Sequence, residues 1–244
     1  MIHRAWVAGL GATAIVGAAA VMLPDRNGMM LKARAAADRP ALALLTSLPL
    51  VFGESFGLDS GGSPALARIE QRYTVHAIGV ADRVSLAGQH LLLMAQPRAQ
   101  PAEALVELDQ WVRGGGRVLL LADPHLSWPS ERALGDRLRP PSQFADTGLL
   151  KHWGLSLALP LADGALEVTV GNIAVHTMTP GRLTGTSCKI VGGGLVARCR
   201  IGRGLATVIA DADLLNVEPS DADAKPNTAN LDLVLTELAR FERP

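Results

Sequence analysis

Acidic side chains and one histidine follow two apolar runs that we interpret as parallel strands. Asp123 and His125 come after the first run, and Asp211 and Asp213 come after the second. Open α/β sheets bind ligands at the carboxyl ends of their parallel strands. We therefore expect these four side chains to belong to one ligand-binding edge.

Residues 91–94 form a third apolar run, which Gln96 follows. If this run pairs as a strand with the other two apolar runs, Gln96 lies at the same edge. Gln96, Asp123 and Asp211 would then lie within reach of one another. Burying unpartnered carboxylates costs several kcal/mol, so each should accept hydrogen bonds or remain solvated for a ligand. A turn or cap at Asp123 and a loop-holding acceptor at Asp211 are the structural alternatives.

The same aspartates and histidine are residue types that bind metal ions, but their spacing is not typical of a metal site. A tight ligand pattern such as His-x-x-x-His is absent, so the sequence predicts no metal site and no cofactor. The glycine triplets 114–116 and 192–194 are interpreted as turns. The first precedes a strand and the second is not followed by a helix, unlike a phosphate-binding loop.

A serine nucleophile is the enzymatic alternative. Residues 53–57 (GESFG) match the Gly-x-Ser-x-Gly elbow that exposes a serine between a strand and a helix in α/β-hydrolases. Residues 49–52 separate this motif from the preceding strand, and no helix is predicted directly after it. A serine hydrolase using Ser55 is therefore the alternative to a non-enzymatic function.

The two cysteines, Cys188 and Cys199, lie in alternating runs and not on a glycine-flanked turn after a strand, where a catalytic thiol would be expected. A two-residue turn at Gly193-Gly194 would place them opposite each other on a hairpin, as a hydrogen-bonded pair. They are either small core or edge residues or a disulfide formed in an oxidising compartment.

Composition narrows the classes of partner. Lysine plus arginine equals aspartate plus glutamate at 23 each, so no global field attracts nucleic acid, and we expect no nucleic-acid partner. Aromatic residues make up 4% of the chain, so the core must be aliphatic. An aliphatic core suits a buried parallel sheet covered by helices.

An uncharged run, residues 5–23, follows Arg4 and is just long enough to span a hydrocarbon core of about 30 Å. We predict a membrane anchor at 1–24, a tether at 25–40 and one α/β domain at 41–244. A signal peptide cleaved near Ala18-Ala19-Ala20 is the alternative. The basic residues after the run favour a cytoplasmic domain, whereas the signal-like layout favours a periplasmic or other extracytoplasmic one, which we expect for this single-pass protein.

Hydrophobic periodicity and turn residues predict alternating strands and helices. The predicted strands of the main sheet are 41–48, 73–78, 91–94, 117–121 and 204–210. The predicted helices are 64–71, 101–113, 144–153 and 228–241. Four short alternating runs, 155–159, 166–170, 187–191 and 195–201, predict a small antiparallel β subregion in the C-terminal half.

Two segments carry a resemblance to a known family: 108–124 (LDQWVRGGGRVLLLADP) and 201–216 (IGRGLATVIADADLLN). Together they resemble the domain shared by gliding-motility auxiliary proteins of ABC transport systems and intraflagellar-transport proteins, the GIFT-type domain. Residues 148–155 are similar to the helix end that lies between these motifs in the family. The sequence departs from the pattern in having Ala212 where the family often has serine.

The resemblance implies a flavodoxin-like, mostly parallel sheet related to class I glutamine amidotransferases but without their catalytic residues. It also implies a role beside an ABC-type transport system. We therefore expect a non-enzymatic, membrane-anchored binding or scaffolding module. Its expected partners are the membrane, through residues 5–23, and transporter subunits or another protein.

Overall fold

A computed structural model describes residues 31–53, 62–160, 164–217 and 228–242. The predicted anchor and the first part of the predicted tether lie outside these ranges. Within them, no helix has the length and apolar character needed to cross a membrane.

The central sheet has seven strands, and its parallel part matches the sequence prediction. The parallel strands are β1 (Ala41–Thr46), β2 (Thr74–Ala77), β3 (Leu91–Ala95), β4 (Arg117–Leu121) and β11 (Gly204–Ile209). Two antiparallel strands, β9 (Cys188–Val191) and β10 (Val196–Ile201), extend the sheet beyond β11. The spatial order is β2-β1-β3-β4-β11-β10-β9, so the predicted α/β class with a mostly parallel sheet is confirmed.

Helices cover both faces of the sheet. Helices α1 (Pro64–Glu70) and α4 (Thr228–Arg240) pack on one face, and α2 (Ala102–Arg113) and α3 (Leu149–His152) pack on the other. This coverage explains why all five residues of β3 are apolar and buried. Each face has its own aliphatic core.

The ends of α1 and α2 follow from local sequence. Ser63 precedes α1, and its hydroxyl oxygen accepts a hydrogen bond from the backbone N–H of Leu66 at 3.1 Å, while Pro64 occupies the first helical position. Helix α2 buries Ala104, Leu108 and other apolar residues of its predicted inner face against the sheet. Both helices lie where the sequence predicts them, to within one residue.

A long insertion between β4 and β11 carries the antiparallel elements. Strand β5 (Leu155–Ala158) pairs with β8 (Arg182–Gly185), and β6 (Ala165–Val170) pairs with β7 (Ile173–Met178). The predicted antiparallel subregion is confirmed, although β9 and β10 belong to the main sheet. Strands β7 and β8 were not predicted, although β7 alternates buried and exposed residues.

The predicted helix at 144–153 is wrong in its first half. Helix α3 begins at Leu149, because Gly148 has a φ of +100° that is incompatible with a right-handed helix. The Asp146 carboxylate also accepts a hydrogen bond from the Gly148 N–H at 3.0 Å, which favours a turn over a helix.

Cys188 and Cys199 form a disulfide across β9 and β10, which decides between the two alternatives left by the sequence. The connection is longer than the two-residue turn predicted at Gly193-Gly194. A 3-10 turn spans Gly192–Gly194, and on each strand the pairing ends one residue farther from the turn than predicted. The Cα atoms of the cysteines lie 4.4 Å apart, as in a non-hydrogen-bonded cross-strand pair. The longer turn thus reverses the predicted hydrogen-bonding pattern at this position.

Candidate functional site

The carboxyl ends of β3, β4 and β11 form one edge of the sheet, where the predicted site residues lie. Gln96 directly follows β3, Asp123 lies two residues beyond β4, and Asp211 lies two residues beyond β11. All three are fully buried. They are neighbours because β4 pairs in parallel with both β3 and β11. Whether they bind a ligand stays a prediction.

The side chain of Gln96 links two loops of this edge. Its Oε1 accepts a hydrogen bond from the Asp123 N–H at 2.9 Å, and its Nε2 donates to the carbonyl oxygens of Asp123 at 3.1 Å and Pro141 at 3.2 Å. Gln96 has a φ of +43°, an uncommon conformation for a residue with a side chain. Because both ends of the amide have protein partners, Gln96 positions the loops after β3 and β4.

The Asp123 carboxylate joins the loops after β4 and β11. Its Oδ1 accepts a hydrogen bond from the His125 N–H at 2.8 Å, and its Oδ2 accepts one from the Ala212 N–H at 2.9 Å. Burial raises the pKa of Asp123, and these N–H donors oppose the rise. The bond from the His125 N–H forms the turn predicted at Asp123, and the bond from the Ala212 N–H gives Asp123 the loop-holding role that was predicted for Asp211.

Asp211 and Asp213 are less well satisfied than Asp123. Neither oxygen of Asp211 accepts a hydrogen bond of normal geometry, although the backbone groups of Asp213 and Met178 are near enough to lower its pKa. Oδ1 of Asp213 has no partner, whereas Oδ2 accepts from the Ser127 N–H at 2.8 Å. Burial raises the pKa of Asp211 well above its usual value, and the nearby charges of Asp123 and Asp213 raise it further. Burial raises the pKa of Asp213 to about 7. One oxygen each of Asp123, Asp211 and Asp213 lies within 4.8 Å of the others.

His125 lies at the exposed rim of this carboxylate cluster. Its ring Nδ1 is 3.2 Å from the Thr179 hydroxyl, which donates to the His125 carbonyl oxygen at 3.0 Å. Thr179 follows β7 and has a φ of +47°. The sequence analysis missed Thr179 because it did not identify the strand that brings this residue to the edge.

A cavity of about 490 Å³ opens beside the same edge, beyond the ends of β1 and β2. Strand β1 lies between β2 and β3 in the sheet. The chain first adds β2 on one side of β1 and then crosses over to add β3 and β4 on the other side, so the direction of strand addition reverses at β1. This reversal is the topological switch point at which open α/β sheets place ligands. We call the cavity the switch-point cleft. Its apolar wall is formed by Leu44, Leu48, Val51, Phe52, Ile78 and Leu138.

Three arginines also line the switch-point cleft: Arg98, Arg132 and Arg137. The guanidinium of Arg98 donates to the Arg139 carbonyl oxygen at 2.6 Å, and Arg132 lies 3.7 Å from the Asp136 carboxylate. Arg137 is exposed. These arginines were not predicted as site residues, because they come from separate loops and share no short-range motif.

The predicted elbow serine, Ser55, lies outside the described residues. Gly53, the first residue of that motif, lines the switch-point cleft. Neither cysteine is available as a nucleophile, because both belong to the disulfide.

No protein-family model and no curated protein matches the sequence. Among solved structures, the mmIFT52 N-terminal domain is similar over 82% of this chain and 97% of that domain, with a TM-score of 0.52 and 15% identity. The chain therefore shares the fold of that domain, in agreement with the fold of a GIFT-type domain.

Two glycosidases are also similar in part. They are the exo-β-1,4-mannosidase Op5Man5 from Opitutaceae bacterium strain TAV5 (TM-score 0.45, 14% identity, 83% of this chain) and a β-galactosidase from Bacillus circulans sp. alkalophilus (TM-score 0.48, 12% identity, 87% of this chain). The chain spans 35% and 32% of their respective lengths. Similarity at this level supports no enzymatic function.

Proposed function

We propose that this chain is a non-enzymatic, membrane-anchored module that binds an anionic ligand with an apolar portion in the switch-point cleft. The observation that carries the proposal is the combination of an apolar wall with arginine side chains at the switch point of the sheet. Pockets that bind small molecules are concave and mostly apolar, with a few polar groups that fix the ligand's orientation. A guanidinium is the side chain best suited to a carboxylate or a phosphate.

The exposure of the cleft supports a binding role. Phe52 is 79% exposed and Leu138 is 61% exposed, although both are large apolar side chains on the rim of the cavity. A ligand or a partner segment that covered them would remove apolar surface from water, which stabilises a complex by roughly 25 cal/mol per Å². The same rim carries Arg137, so an anionic group and an apolar group could be recognised together.

A pair of probes tests this recognition. Phenyl phosphate and benzylammonium carry one benzene ring and opposite charges, so a cleft lined by arginine should bind the first more tightly. Arg98→Ala and Arg137→Ala should each weaken phenyl phosphate binding about threefold, the size of a partly solvated charge contact. Binding would be measured by saturation-transfer NMR.

The control for these variants is Arg200→Ala. Arg200 is exposed on β10, pairs with Leu205 near the start of β11 and therefore lies toward the opposite edge of the sheet. Equal binding of the two probes, or an equal loss of affinity in Arg200→Ala, would contradict the proposed cleft.

The extracytoplasmic location is also a proposal, and the disulfide supports it. Disulfides persist in oxidising compartments and are rare in the cytosol. The bond between Cys188 and Cys199 therefore favours the signal-like interpretation of the N-terminus over the charge-bias interpretation. Anchoring by residues 5–23 would leave the chain in the membrane fraction after carbonate extraction, whereas a mature chain beginning near Val21 would indicate cleavage.

Membership of the GIFT-type family, and with it a role beside ABC-transporter subunits, rests on the motif segments 108–124 and 201–216. The fold shared with the mmIFT52 N-terminal domain agrees with this assignment. An adjacent ATPase gene and permease gene would support the transport role. Turnover of activated esters that is abolished by Ser55→Ala would contradict the non-enzymatic assignment.

A further inference from the structure

Three aspartates are buried together at the edge of the sheet. One oxygen from each of Asp123, Asp211 and Asp213 lies within 4.8 Å of the others. In the described ranges, no lysine or arginine forms an ion pair with any of them. An isolated ionised carboxylate is costly to bury, so buried charges are normally paired or bound to metal ions.

Asp211 is the member of the cluster that points to a ligand. It is 0% exposed, and neither of its oxygens accepts a hydrogen bond of normal geometry, although the backbone groups of Asp213 and Met178 lie nearby. Oδ1 of Asp213 is also buried and without a partner. Buried polar atoms in folded proteins are nearly always satisfied, so three orphaned oxygens in one cluster need a partner that a cation can supply.

We propose that Asp123, Asp211 and Asp213 bind a single divalent cation of the calcium type. The site offers carboxylate oxygens, which are the ligands of hard cations and not of metals that prefer nitrogen or sulfur. Calcium binds oxygens at about 2.3–2.6 Å, so one ion can join oxygens about 5 Å apart. Magnesium binds at about 2.0–2.1 Å and would require a tighter cluster.

The hydrogen bonds around the cluster would orient the ligands. The N–H groups of His125 and Ala212 hold the two oxygens of Asp123, and the N–H of Ser127 holds Oδ2 of Asp213. A carboxylate oxygen that accepts one hydrogen bond keeps a lone pair for a metal, and such outer contacts fix the direction of ligands. The three loops after β4, β7 and β11 meet here, so the bound ion would connect segments distant in sequence.

Asp211→Asn is the decisive variant, with the full chain in a mild detergent after removal of metals by EDTA. Calcium should raise the melting temperature of the wild-type protein in a saturable way, and calorimetric titration should give one site per chain. Asp211→Asn should lower the calcium affinity at least tenfold. It should still fold, because the amide keeps an acceptor oxygen for the nearby backbone groups of Asp213 and Met178 and the substitution removes a buried charge.

Two further variants complete the experiment. Asp213→Asn should also lower the calcium affinity at least tenfold, and it serves as the test variant if Asp211→Asn fails to fold. Asp38→Asn makes the same charge change at an exposed position and should keep wild-type affinity. The proposal is overturned if millimolar calcium produces no saturable binding, as expected for a cluster neutralised by a proton. Equal affinity in Asp211→Asn and wild type, or tighter binding of magnesium or zinc than calcium, overturns it as well.

Discussion

At the scale of single residues, the sheet edge contains two kinds of buried carboxylate. Asp123 uses both oxygens to accept backbone N–H groups, whereas neither oxygen of Asp211 accepts a hydrogen bond of normal geometry. Residue type and position relative to the strand are the same for both. Their surroundings therefore decide that one acts as a structural acceptor and the other as a candidate ligand.

Asp123→Asn should destabilise the protein even though the substitution is nearly isosteric. An amide presents one acceptor oxygen, so one of the N–H groups of His125 and Ala212 would face an NH₂ group instead of an acceptor. A buried donor left unsatisfied costs about 1–3 kcal/mol, which should appear as a lower free energy of unfolding in urea titrations. The matched control is Asp213→Asn without divalent cations, since Asp213 uses only one oxygen and should lose much less stability.

Asp232 of α4 is another buried carboxylate, outside the sheet edge, and it should make stability depend on pH. Burial raises its folded-state pKa, and the charge of Arg68 opposes the rise. The folded state therefore binds this proton more tightly than the unfolded state does. The resulting stability is present below the unfolded pKa of about 4 and is lost as pH rises through the folded pKa.

Asp232→Asn should remove the loss of stability that occurs as the pH rises. The variant should be more stable than wild type at pH 8, and the difference should shrink as the pH falls below the unfolded pKa of about 4, where wild-type Asp232 becomes protonated in both states. Urea unfolding at several pH values measures the difference. A constant difference across this range would contradict the assignment to Asp232.

At the scale of elements, the two motif segments of the family resemblance meet in space. The end of α2 contacts the turn before β11: Arg203 N–H donates to the Arg113 carbonyl at 3.1 Å, and Leu205 N–H donates to the Gly116 carbonyl at 3.2 Å. A Cβ at Gly204 would collide with the carbonyl oxygens of Val112 and Gly116. Gly204 is therefore required because the end of a helix and the start of a strand approach each other closely here.

Gly204→Ala should destabilise the protein by about 2 kcal/mol or more, because backbone atoms must move to admit the methyl group. Gly79→Ala is the control, since no atom lies within 4 Å of a Cβ at that position and its φ is not positive. Thermal unfolding of both variants measures the contrast. Similar melting temperatures for the two variants would be inconsistent with the close approach.

At the scale of the whole molecule, the antiparallel end of the sheet is held by two different links. The disulfide joins β9 to β10 through two cysteines that are 11 positions apart in the sequence. The buried Glu237 of α4 accepts hydrogen bonds from the Arg198 guanidinium of β10 at 2.9 and 2.5 Å. The disulfide therefore joins the two edge strands to each other, and the Arg198–Glu237 contact joins β10 to the last helix.

Replacing both cysteines by serine should lower the free energy of unfolding by about 2–3 kcal/mol, as expected when a short loop is no longer closed in the unfolded chain. The difference from wild type should disappear when wild type is measured in reducing agent. Urea unfolding with and without dithiothreitol provides the comparison. A wild-type protein insensitive to the reductant, with its disulfide shown to be reduced, would contradict a stabilising role.

Local patterns in the sequence were sufficient to predict the elements that form the parallel sheet and its flanking helices. These patterns involve only a few neighbouring residues, so they predict an element without knowledge of the fold. They are the apolar runs, the Ser63-Pro64 helix start and the glycines after α2. The placement of Gln96, Asp123 and Asp211 at one edge followed as well, because parallel neighbours end on the same side. The start of α3 was not predicted, since Asp146 and Gly148 override the apolar periodicity there.

Tertiary structure alone decided the chemistry available at that edge. Whether a carboxylate finds an N–H donor depends on loops that are distant in sequence, such as those of Asp123 and Ala212. The switch-point cleft likewise combines residues from several loops, and the hydrogen-bonding pattern at Cys188 and Cys199 depends on the length of an irregular turn. Distances of a few ångströms between segments that are remote in sequence arise from packing of the whole chain, so no local sequence pattern predicts them.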